Sequence, residues 1–185
     1  MSYGMSDLKK YLNIELDGVP YKIVEYQHVK PGKGAAFVRT KIKSLLDGKV
    51  IEKTFHAGDK AEEPNLGRKE VTYSYNDDDF YYFMDENYEM IPLSHDQVGD
   101  ATKFILDGMN CVISFHNNKP IAVDLPQDVT YTIIETTPSS KGDRQGACRK
   151  PAKIDTGATV TIPCHLNEGD KIVVNTQTGE YTGKA

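Results

Sequence analysis

Alternating apolar and polar residues run through the first third of the chain and predict a series of β-strands. The segment IELDGVPYKIVEYQHVK alternates on both sides of an Asp17-Gly18 pair, which is typical of a tight hairpin turn. A second alternating segment, AAFVRTKIKSLL, leads through an Asp47-Gly48 turn into the strand KVIEKTF. Five such strands predict a small SH3-like barrel over residues 1–65, with the polar segment HAGDKAEEPNLG as the linker that follows.

A second group of strands begins near Val71 and encloses the one helix that the pattern predicts. VTYSY and FYYFM flank an acidic turn, and YEMIPL, CVISF and IAVDLP supply three more strands. The helix is expected to start at Ser94, because Gln97 stands three residues later as in a capping box, and to end near Gly108. Five strands with a helix between the third and the fourth are typical of an OB-fold barrel, which we assign to residues 66–128.

The last third of the chain, residues 129–185, again predicts strands and no long helix. TYTIIET precedes a long polar loop, TPSSKGDRQGACRKPA, and TVTIPCHL, KIVVNT and GEY follow that loop as strands. This third module is similar to the second in length and strand count. The pattern therefore predicts an all-β protein made of three small β-barrel domains.

Charge is distributed unevenly among the three modules. The whole chain carries a net charge of −5. Residues 66–128 hold four basic and twelve acidic residues, a net charge of −8, whereas residues 1–65 hold eleven basic and nine acidic residues, a net charge of +2. This asymmetry indicates that the modules have different surroundings, and an acidic average does not exclude RNA binding where basic residues share one face.

The cysteines and the N-terminal residues favour a cytoplasmic protein. Cys111, Cys148 and Cys164 are odd in number, far apart and without a CxxC spacing, so the sequence predicts neither a disulfide framework nor a zinc site. The opening residues are polar and lack the apolar core of a signal peptide, and no stretch has the length and apolar character of a membrane span. We expect no metal, no cofactor and no membrane partner.

The segment HVKPGKGAAFVRTKIK carries the first candidate site. Lys33 stands between Gly32 and Gly34, and Pro31 opens the turn, so the lysine is expected to be the only bulky side chain at a narrow tip. The basic residues around it are Lys30, Arg39, Lys41 and Lys43. Such a stripe suits phosphate binding, because each neutralised phosphate releases condensed counterions. The alternative is an ordinary solvated turn and strand face.

The long polar loop of the third module is a second candidate. Its basic residues are Lys141, Arg144, Arg149 and Lys150. A basic loop at the end of a barrel suits contact with a nucleic-acid strand, since OB-folds often bind through their loops. An ordinary surface loop is the alternative.

No catalytic motif stands out in the sequence. The chain has neither of the glycine-rich patterns that cradle nucleotide phosphates. Asp77, Asp78 and Asp79 are consecutive, whereas a calcium-binding EF-hand places its acids at alternate positions. We therefore expect a binding protein and not an enzyme.

Two long segments resemble the bacterial translation elongation factor P family. VKPGKGAAFVRTKIKSLLDGKVIEKTFHAGDK is similar to the first domain of that family, and KPAKIDTGATVTIPCHLNEGDKIVVNTQTGEY is similar to its C-terminal signature. The resemblance runs from about residue 12 to residue 181. It implies an SH3-like, KOW-like first domain and two OB-fold domains, in an L shape that mimics tRNA. It also implies a monomer that binds the ribosome between the peptidyl-tRNA and exit sites and relieves stalling at consecutive prolines.

The resemblance also implies roles for particular residues. Lys33 matches the family's tip lysine, which in many members is lengthened by a modifying enzyme and reaches toward the CCA end of the peptidyl-tRNA. The implied contacts of the first domain with ribosomal RNA are Lys30, Arg39, Lys41 and Lys43. The implied contacts of the third domain with exit-site mRNA are Gly142, Asp143, Arg144 and Gly146, and the matching C-terminal hairpin contains Tyr181. Arg144 departs from the family pattern, which usually has threonine at that position.

Two other kinds of binding protein remain open at this point. One is the elongation factor P-like paralogue, which is disfavoured because the Pro-Gly-Lys-Gly tip is intact. The other is a generic OB-fold RNA-binding protein, similar to cold-shock proteins, which would need exposed aromatic side chains for base stacking. The nearest candidates for such stacking are Tyr73, Tyr75, Tyr81 and Tyr82, and they lie in the acidic module.

Overall fold

The computed structural model describes residues 1–138 and 148–185, and antiparallel β-sheets account for most of its regular structure. The described chain separates into two compact units, Met1–Gly67 with Phe115–Ala122 and Arg68–Ser114 with Val123–Ala185. The domain boundaries suggested by the sequence stay predictions. No helix in this part of the chain is long and apolar enough to cross a membrane.

The first sheet has the strand order β1-β6-β2-β3-β4-β5. Its strands are β1 (Ser2–Gly4), β2 (Asn13–Leu16), β3 (Val19–Val29), β4 (Phe37–Ser44), β5 (Val50–His56) and β6 (Lys60–Glu62), and a short 3-10 helix spans Met5–Asp7. Both residues of the β2–β3 turn have positive φ, 52° at Asp17 and 80° at Gly18, as the Asp-Gly signal predicts. Alternate positions on β3 and β4 bury Ile23, Val38 and Ile42 in the core.

Two short strands of this sheet, β1 and β6, were not predicted. β6 lies inside the segment that we expected to be a linker, and it pairs with β1 through Ser2 and Glu62 and with β2 through Glu15 and Glu62. The linker prediction is therefore wrong for Lys60–Glu62. A three-residue strand is too short to show a period of two, so its pairing depends on a neighbour that the local sequence does not reveal.

The second sheet has the order β11-β10-β7-β8-β9. Its strands are β7 (Gly67–Asn76), β8 (Phe80–Met84), β9 (Met90–Ser94), β10 (Asn110–His116) and β11 (Lys119–Asp124). A helical segment lies between β9 and β10, which confirms the predicted order of strands and helix for an OB-fold.

That helical segment is shorter than the sequence predicts. The capping box at Ser94 is confirmed, because the backbone N–H of Gln97 donates to Ser94 Oγ and the backbone N–H of Ser94 donates to Gln97 Oε1. Helix α1 (His95–Val98) is nevertheless only one turn long, and a 3-10 helix continues over Gly99–Lys103. Gly99 leaves the α-helical region, with φ 61° and ψ −136°, and glycine is a poor helix former.

The third sheet has the order β14-β13-β12-β15-β16. Its strands are β12 (Asp128–Thr136), β13 (Arg149–Ile154), β14 (Thr159–Pro163), β15 (Lys171–Asn175) and β16 (Glu180–Lys184). The core of this sheet also takes in Phe104 from the segment after the 3-10 helix. Tyr131 is fully buried there, and its hydroxyl donates to the carbonyl oxygen of Phe104 at 2.5 Å.

Strand β13 replaces part of the predicted third-module loop. The prediction that Lys150 belongs to a basic loop is wrong, because Lys150 is buried in β13 and its Nζ donates to the carbonyl oxygen of Thr137. Ala152 and Ile154 complete the inward face of the strand. A lysine and a proline, Pro151, hide the apolar alternation in this segment, which explains why the sequence suggested a loop.

The prediction that the cysteines form no disulfide is also wrong. Cys148 and Cys164 are bonded, with their Cα atoms 5.4 Å apart, while Cys111 is free and buried. The register of β13 with β14 pairs Arg149 with Pro163, so the two cysteines continue the ladder from adjacent ends of these strands. Sequence spacing alone does not reveal this neighbourhood, because it depends on the pairing of β13 with β14.

Candidate RNA-binding hairpin of the first module

Strands β3 and β4 form a long hairpin with the Lys33 loop at its tip. The ladder runs from the pair Tyr21–Ser44 to the pair Val29–Phe37, which leaves residues 30–36 as the connecting loop. Near the other end of the hairpin, the side chains of Ile23 and Ile42 are fully buried. The packed end of the hairpin therefore fixes the direction of the strands that carry the loop.

Lys33 is exposed at this tip, together with Lys30, Pro31 and both glycines. Gly34 has φ 96°, a conformation that residues with a Cβ rarely adopt. A Cβ atom built at Gly32 or Gly34 would meet no atom within 4 Å, so packing does not require either glycine. The backbone requires glycine at position 34, and the small residues on each side leave the lysine side chain open to solvent.

The predicted basic face of β4 is present. Val38, Thr40 and Ile42 are buried, while Arg39 is exposed, Lys41 and Lys43 are half-buried, and all three basic residues lie on the opposite face of the strand. The guanidinium carbon of Arg39 lies 5.4 Å from the centre of the Phe37 ring, which is within cation–π range. This contact holds the Arg39 head group on the outer face of the hairpin.

The structure adds two acids that sequence reasoning missed. Lys41 pairs with Glu25 on β3 and with Glu52 on β5, and its Nζ lies 3.5 Å from Glu25 Oε2. The side chains of Lys41 and Glu25 are 44% and 65% exposed, so solvent screens this ion pair and it contributes about 0–1 kcal/mol to stability. Its larger consequence is electrostatic, because the charge of Lys41 is partly neutralised while Arg39 faces the uncharged Gln27 and Thr54.

These residues surround a depression of about 360 Å³ on the outer face of the hairpin. Its lining includes Glu25, Arg39, Lys41 and Glu52, so its charge is mixed. The Asp47-Gly48 turn carried the register signal for Glu52, since a known turn fixes which residues of adjacent strands face each other. No such signal exists for Glu25, because the β3–β4 ladder closes through the long loop 30–36 and shifts register between Ile23 and Glu25. The basic stripe inferred from the sequence is therefore interrupted at Lys41, whereas Lys43 faces Lys22 and Val50 and no acid in the ladder.

The structure describes only some of the candidate residues of the third module. Gly142, Asp143, Arg144 and Gly146 lie outside the described residues, as does Lys141. Arg149 begins β13, and Tyr181 lies half-buried on β16, where it packs against the core of the third sheet. The structure therefore places Tyr181 partly inside its own domain.

The four tyrosines considered for base stacking divide into two pairs. Tyr73 and Tyr81 are buried in the core of the second sheet. Tyr75 and Tyr82 face outward, and their rings stack with centroids 4.5 Å apart. Only half of the candidate set is therefore available to a ligand.

Comparison with known proteins identifies the family. Residues 4–61 match the elongation factor P KOW-like domain, residues 66–123 match the elongation factor P OB domain, and residues 129–184 match the elongation factor P C-terminal domain. Together these three matches cover most of the chain.

Curated relatives agree with the domain matches over the full length. The chain is 60% identical to elongation factor P of Wolinella succinogenes and 62% identical to elongation factor P of Helicobacter pylori strain J99, in each case over all of this chain and 99% of the relative. A solved structure, eukaryotic translation initiation factor 5A from Methanococcus jannaschii, is 21% identical, covers 68% of this chain and 94% of its own, and has a TM-score of 0.45. The three domain matches and the full-length relatives show that this chain belongs to the bacterial elongation factor P family of translation elongation factors.

Proposed function

We propose that this elongation factor binds the ribosome between the peptidyl-tRNA and exit sites and stimulates peptide-bond formation at consecutive prolines. The observation that carries the proposal is the position of Lys33, exposed at the tip of the β3–β4 hairpin and flanked by two glycines with open space around them. A slim tip with one cationic side chain suits entry into a narrow RNA cleft beside the CCA end of the peptidyl-tRNA.

The proposed mechanism orders the substrate and supplies no catalytic group. Proline is a poor partner in peptide-bond formation, and a mobile peptidyl-tRNA adds to the entropic part of the barrier. A ligand that holds the tRNA end lowers that part of the barrier, since orientation of reacting groups accounts for a large share of many rate enhancements. The bond-forming chemistry remains with the ribosome, so we propose that the protein is not itself an enzyme.

Lys33 is also the proposed substrate of a lysine-modifying enzyme. An unmodified lysine loses up to about 2 kcal/mol of side-chain freedom when it is fixed in a cleft. A longer group with additional donors would offset that cost by making more contacts. The exposed loop leaves the Lys33 amine open to such an enzyme.

Contacts with ribosomal RNA are proposed for the basic residues around the tip. Lys30 and Arg39 are exposed, and Lys43 lies farther along the same strand face. Lys41 is assigned a smaller share, because Glu25 and Glu52 face it across the sheet. Contact with exit-site mRNA through the third-domain loop and Tyr181 is proposed from the family resemblance, as is a monomeric state. A cytoplasmic location is proposed from the polar N-terminal residues, while the cysteines no longer support it, because Cys148 and Cys164 are bonded.

A reconstituted translation assay with a proline-run reporter tests the role of Lys33. We expect Lys33→Ala to lose most of the stimulation while retaining the wild-type thermal transition, because the side chain makes no core contact. Lys49→Ala is the matched control, since Lys49 is another exposed lysine beside a glycine turn, at the far end of β4. Full stimulation by Lys33→Ala, or an equal loss in Lys49→Ala, would contradict the proposal.

Mass spectrometry of the protein from its native host tests the modification separately. We expect a mass increase confined to the peptide that contains Lys33. An unmodified Lys33 in a protein that still stimulates the proline reporter would remove the modifying enzyme from the proposal and leave the tip-lysine mechanism in place.

A generic RNA-binding function is the second candidate, and one observation favours it. Exposed Tyr75 stacks on half-buried Tyr82 on the second sheet, and a stacked ring pair is the kind of platform that single-strand binders use. The acidic charge of that module opposes the binding of phosphates. A comparison of binding to free single-stranded RNA and to ribosomes separates the two candidate functions, because a generic RNA-binding protein must bind free RNA tightly.

A further inference from the structure

The outer face of the second sheet carries an exposed aromatic patch that the proposed function does not use. We define the aromatic patch as Tyr75, Phe80, Tyr82 and Pro92. The register places Tyr75 opposite Tyr82 and Tyr82 opposite Pro92, so these side chains form a row across β7, β8 and β9. Tyr75 is 52% exposed and Phe80 is 40% exposed, and both lie beside the turn that joins β7 to β8. Contiguous exposed apolar groups of this kind mark interaction sites.

The rings of the patch are held in fixed orientations. Tyr75 and Tyr82 are stacked at an interplanar angle of 20°, and Phe80 meets Tyr82 edge-on with centroids 6.2 Å apart. The Tyr82 hydroxyl donates to Asp77 Oδ2 at 2.8 Å. Asp77 Oδ1 in turn accepts the backbone N–H groups of Asp79 and Phe80, which locks the turn that carries these residues. A partner would therefore meet a surface that needs little ordering.

The formal charges along the segment that forms the patch are acidic, and the imidazole of His95 also lies at its turn, with Nε2 3.0 Å from the carbonyl oxygen of Asp77. Asp78 and Asp79 are exposed at the turn beside the rings. No lysine or arginine occurs between Lys69 and Lys103, although nine aspartate and glutamate residues do. The field at the patch therefore attracts cations and repels the phosphates of a nucleic acid.

We propose that the aromatic patch docks a protein segment that carries arginine side chains beside apolar ones. A guanidinium group can stack on an exposed tyrosine face and pair at the same time with a carboxylate of Asp78 or Asp79. The apolar neighbours of the arginine would cover Phe80 and Pro92. The inference is independent of the ribosomal role proposed for Lys33, because it rests on a different sheet and a different charge.

A titration of the isotopically labelled full-length protein tests this assignment by NMR. The probe is a short synthetic peptide that alternates arginine and leucine, compared with peptides of the same length that alternate lysine or glutamate with leucine, and with a single-stranded oligonucleotide. We expect saturable shifts confined to β7–β9 with the arginine peptide. The lysine peptide should bind more weakly, because lysine lacks the planar group that stacks on the rings.

Two sets of variants identify the contacts. Tyr75→Ser with Phe80→Ser should weaken binding of the arginine peptide about tenfold or more, because it removes the tyrosine face on which the guanidinium stacks and the ring that its apolar neighbours cover. Asp78→Lys with Asp79→Lys should abolish the preference for arginine over glutamate. Tyr88→Ser is the matched control, because Tyr88 is an exposed tyrosine beside acids in the same module and lies outside the patch. The spectrum of each variant before titration shows whether it has kept the fold.

Several outcomes would overturn the proposal. These are an absence of shifts with the arginine peptide, equal binding of the glutamate peptide, or tighter binding of the oligonucleotide at the patch. Unchanged arginine binding in the folded Tyr75 and Phe80 variant would also overturn it. If that variant unfolds, Asp78→Lys with Asp79→Lys alone decides, since both aspartates are exposed.

Discussion

Two hairpins of this protein share an architecture and present opposite surfaces. The β3–β4 hairpin ends in a seven-residue glycine-containing loop with Lys33 at its tip, whereas the β7–β8 hairpin ends in the short acidic turn 77–79. Space around the first loop is open at both glycines. The second turn is held by the Asp77 carboxylate, which accepts backbone and tyrosine donors.

The difference shows that the outward-facing residues, and not the sheet, decide what each hairpin can bind. Both hairpins bury their inner faces in a core, through Ile23 and Val38 in one and Tyr73 and Phe83 in the other. The outer faces are free to diverge, because a solvent-facing position makes few demands on packing. An extended tip suits a ligand that lies inside a cleft, and a rigid patch suits a ligand that docks on the protein surface.

We expect the largest effect from changes to the charge of the first hairpin, measured as the affinity for ribosomes. We expect Arg39→Glu to weaken ribosome binding about tenfold at low salt and to lower the salt dependence by about one counterion. Lys41→Glu should have a smaller effect, because Glu25 and Glu52 already offset that lysine. Filter binding to purified ribosomes over a range of salt concentrations measures both.

Glu52→Gln sharpens the same test in the opposite direction. Removing this exposed acid from beside Lys41 should strengthen binding, provided that the stem faces RNA. If Glu52→Gln and Arg39→Glu both leave the affinity unchanged at low salt, the stem of the first hairpin is not an RNA contact.

We expect the next largest effect from changes to the conformation of the tip loop, measured as the free energy of unfolding. Gly34→Ala places a Cβ at φ 96° and should reduce the free energy of unfolding by about 1–2 kcal/mol, or shift the loop. Gly32→Ala is the matched control, because Gly32 also has open space around it but does not have a left-handed φ. Denaturant unfolding compares the two variants, and the proline reporter shows whether the tip has moved. Equal behaviour of the two variants would mean that φ at position 34 does not matter.

We expect the smallest effect at the turn of the second hairpin, where it is a shift in the pKa of Tyr82. The hydrogen bond to Asp77, followed by burial, raises the pKa of Tyr82 to about 12 from its ordinary value near 10. The stabilisation from this bond is therefore complete below pH 10 and is lost as the pH rises toward 12. An ultraviolet titration of the wild type minus Tyr82→Phe isolates this tyrosine among the eleven in the chain.

Asp77→Asn should return the pKa of Tyr82 toward its ordinary value, because the acceptor loses its charge. Asp78→Asn is the control, since Asp78 is exposed and is not among the groups that shift Tyr82. A Tyr82 pKa that does not respond to Asp77→Asn would show that the Asp77 hydrogen bond does not hold the ring in solution.

Much of the fold followed from local sequence signals. The Asp17-Gly18 turn, the alternation along β4 and the capping box at Ser94 depend on residues close together in the chain, so they were predicted correctly. The acidic β7–β8 turn was predicted for the same reason.

The errors fell where distant residues decide the outcome. β6 exists because β1 and β2 lie beside it, and β13 became a strand although a buried lysine and a proline obscure its period. The predicted helix stopped early at Gly99, whose conformation suits the turn into the 3-10 segment. For β6 and β13 the neighbours in space overrode the preference of the segment, whereas the early end of the helix lies at a local glycine.

The sequence by itself determined the three β-modules, the exposed lysine tip and the family, because periodicity, turn chemistry and long motifs are written in consecutive residues. The tertiary structure alone decided the Cys148–Cys164 bond, the acids that face Lys41, and the division of the tyrosines between core and surface. Those features depend on strand register. Register is set by pairing across the sheet, where a shift of one residue would exchange the two faces of a strand.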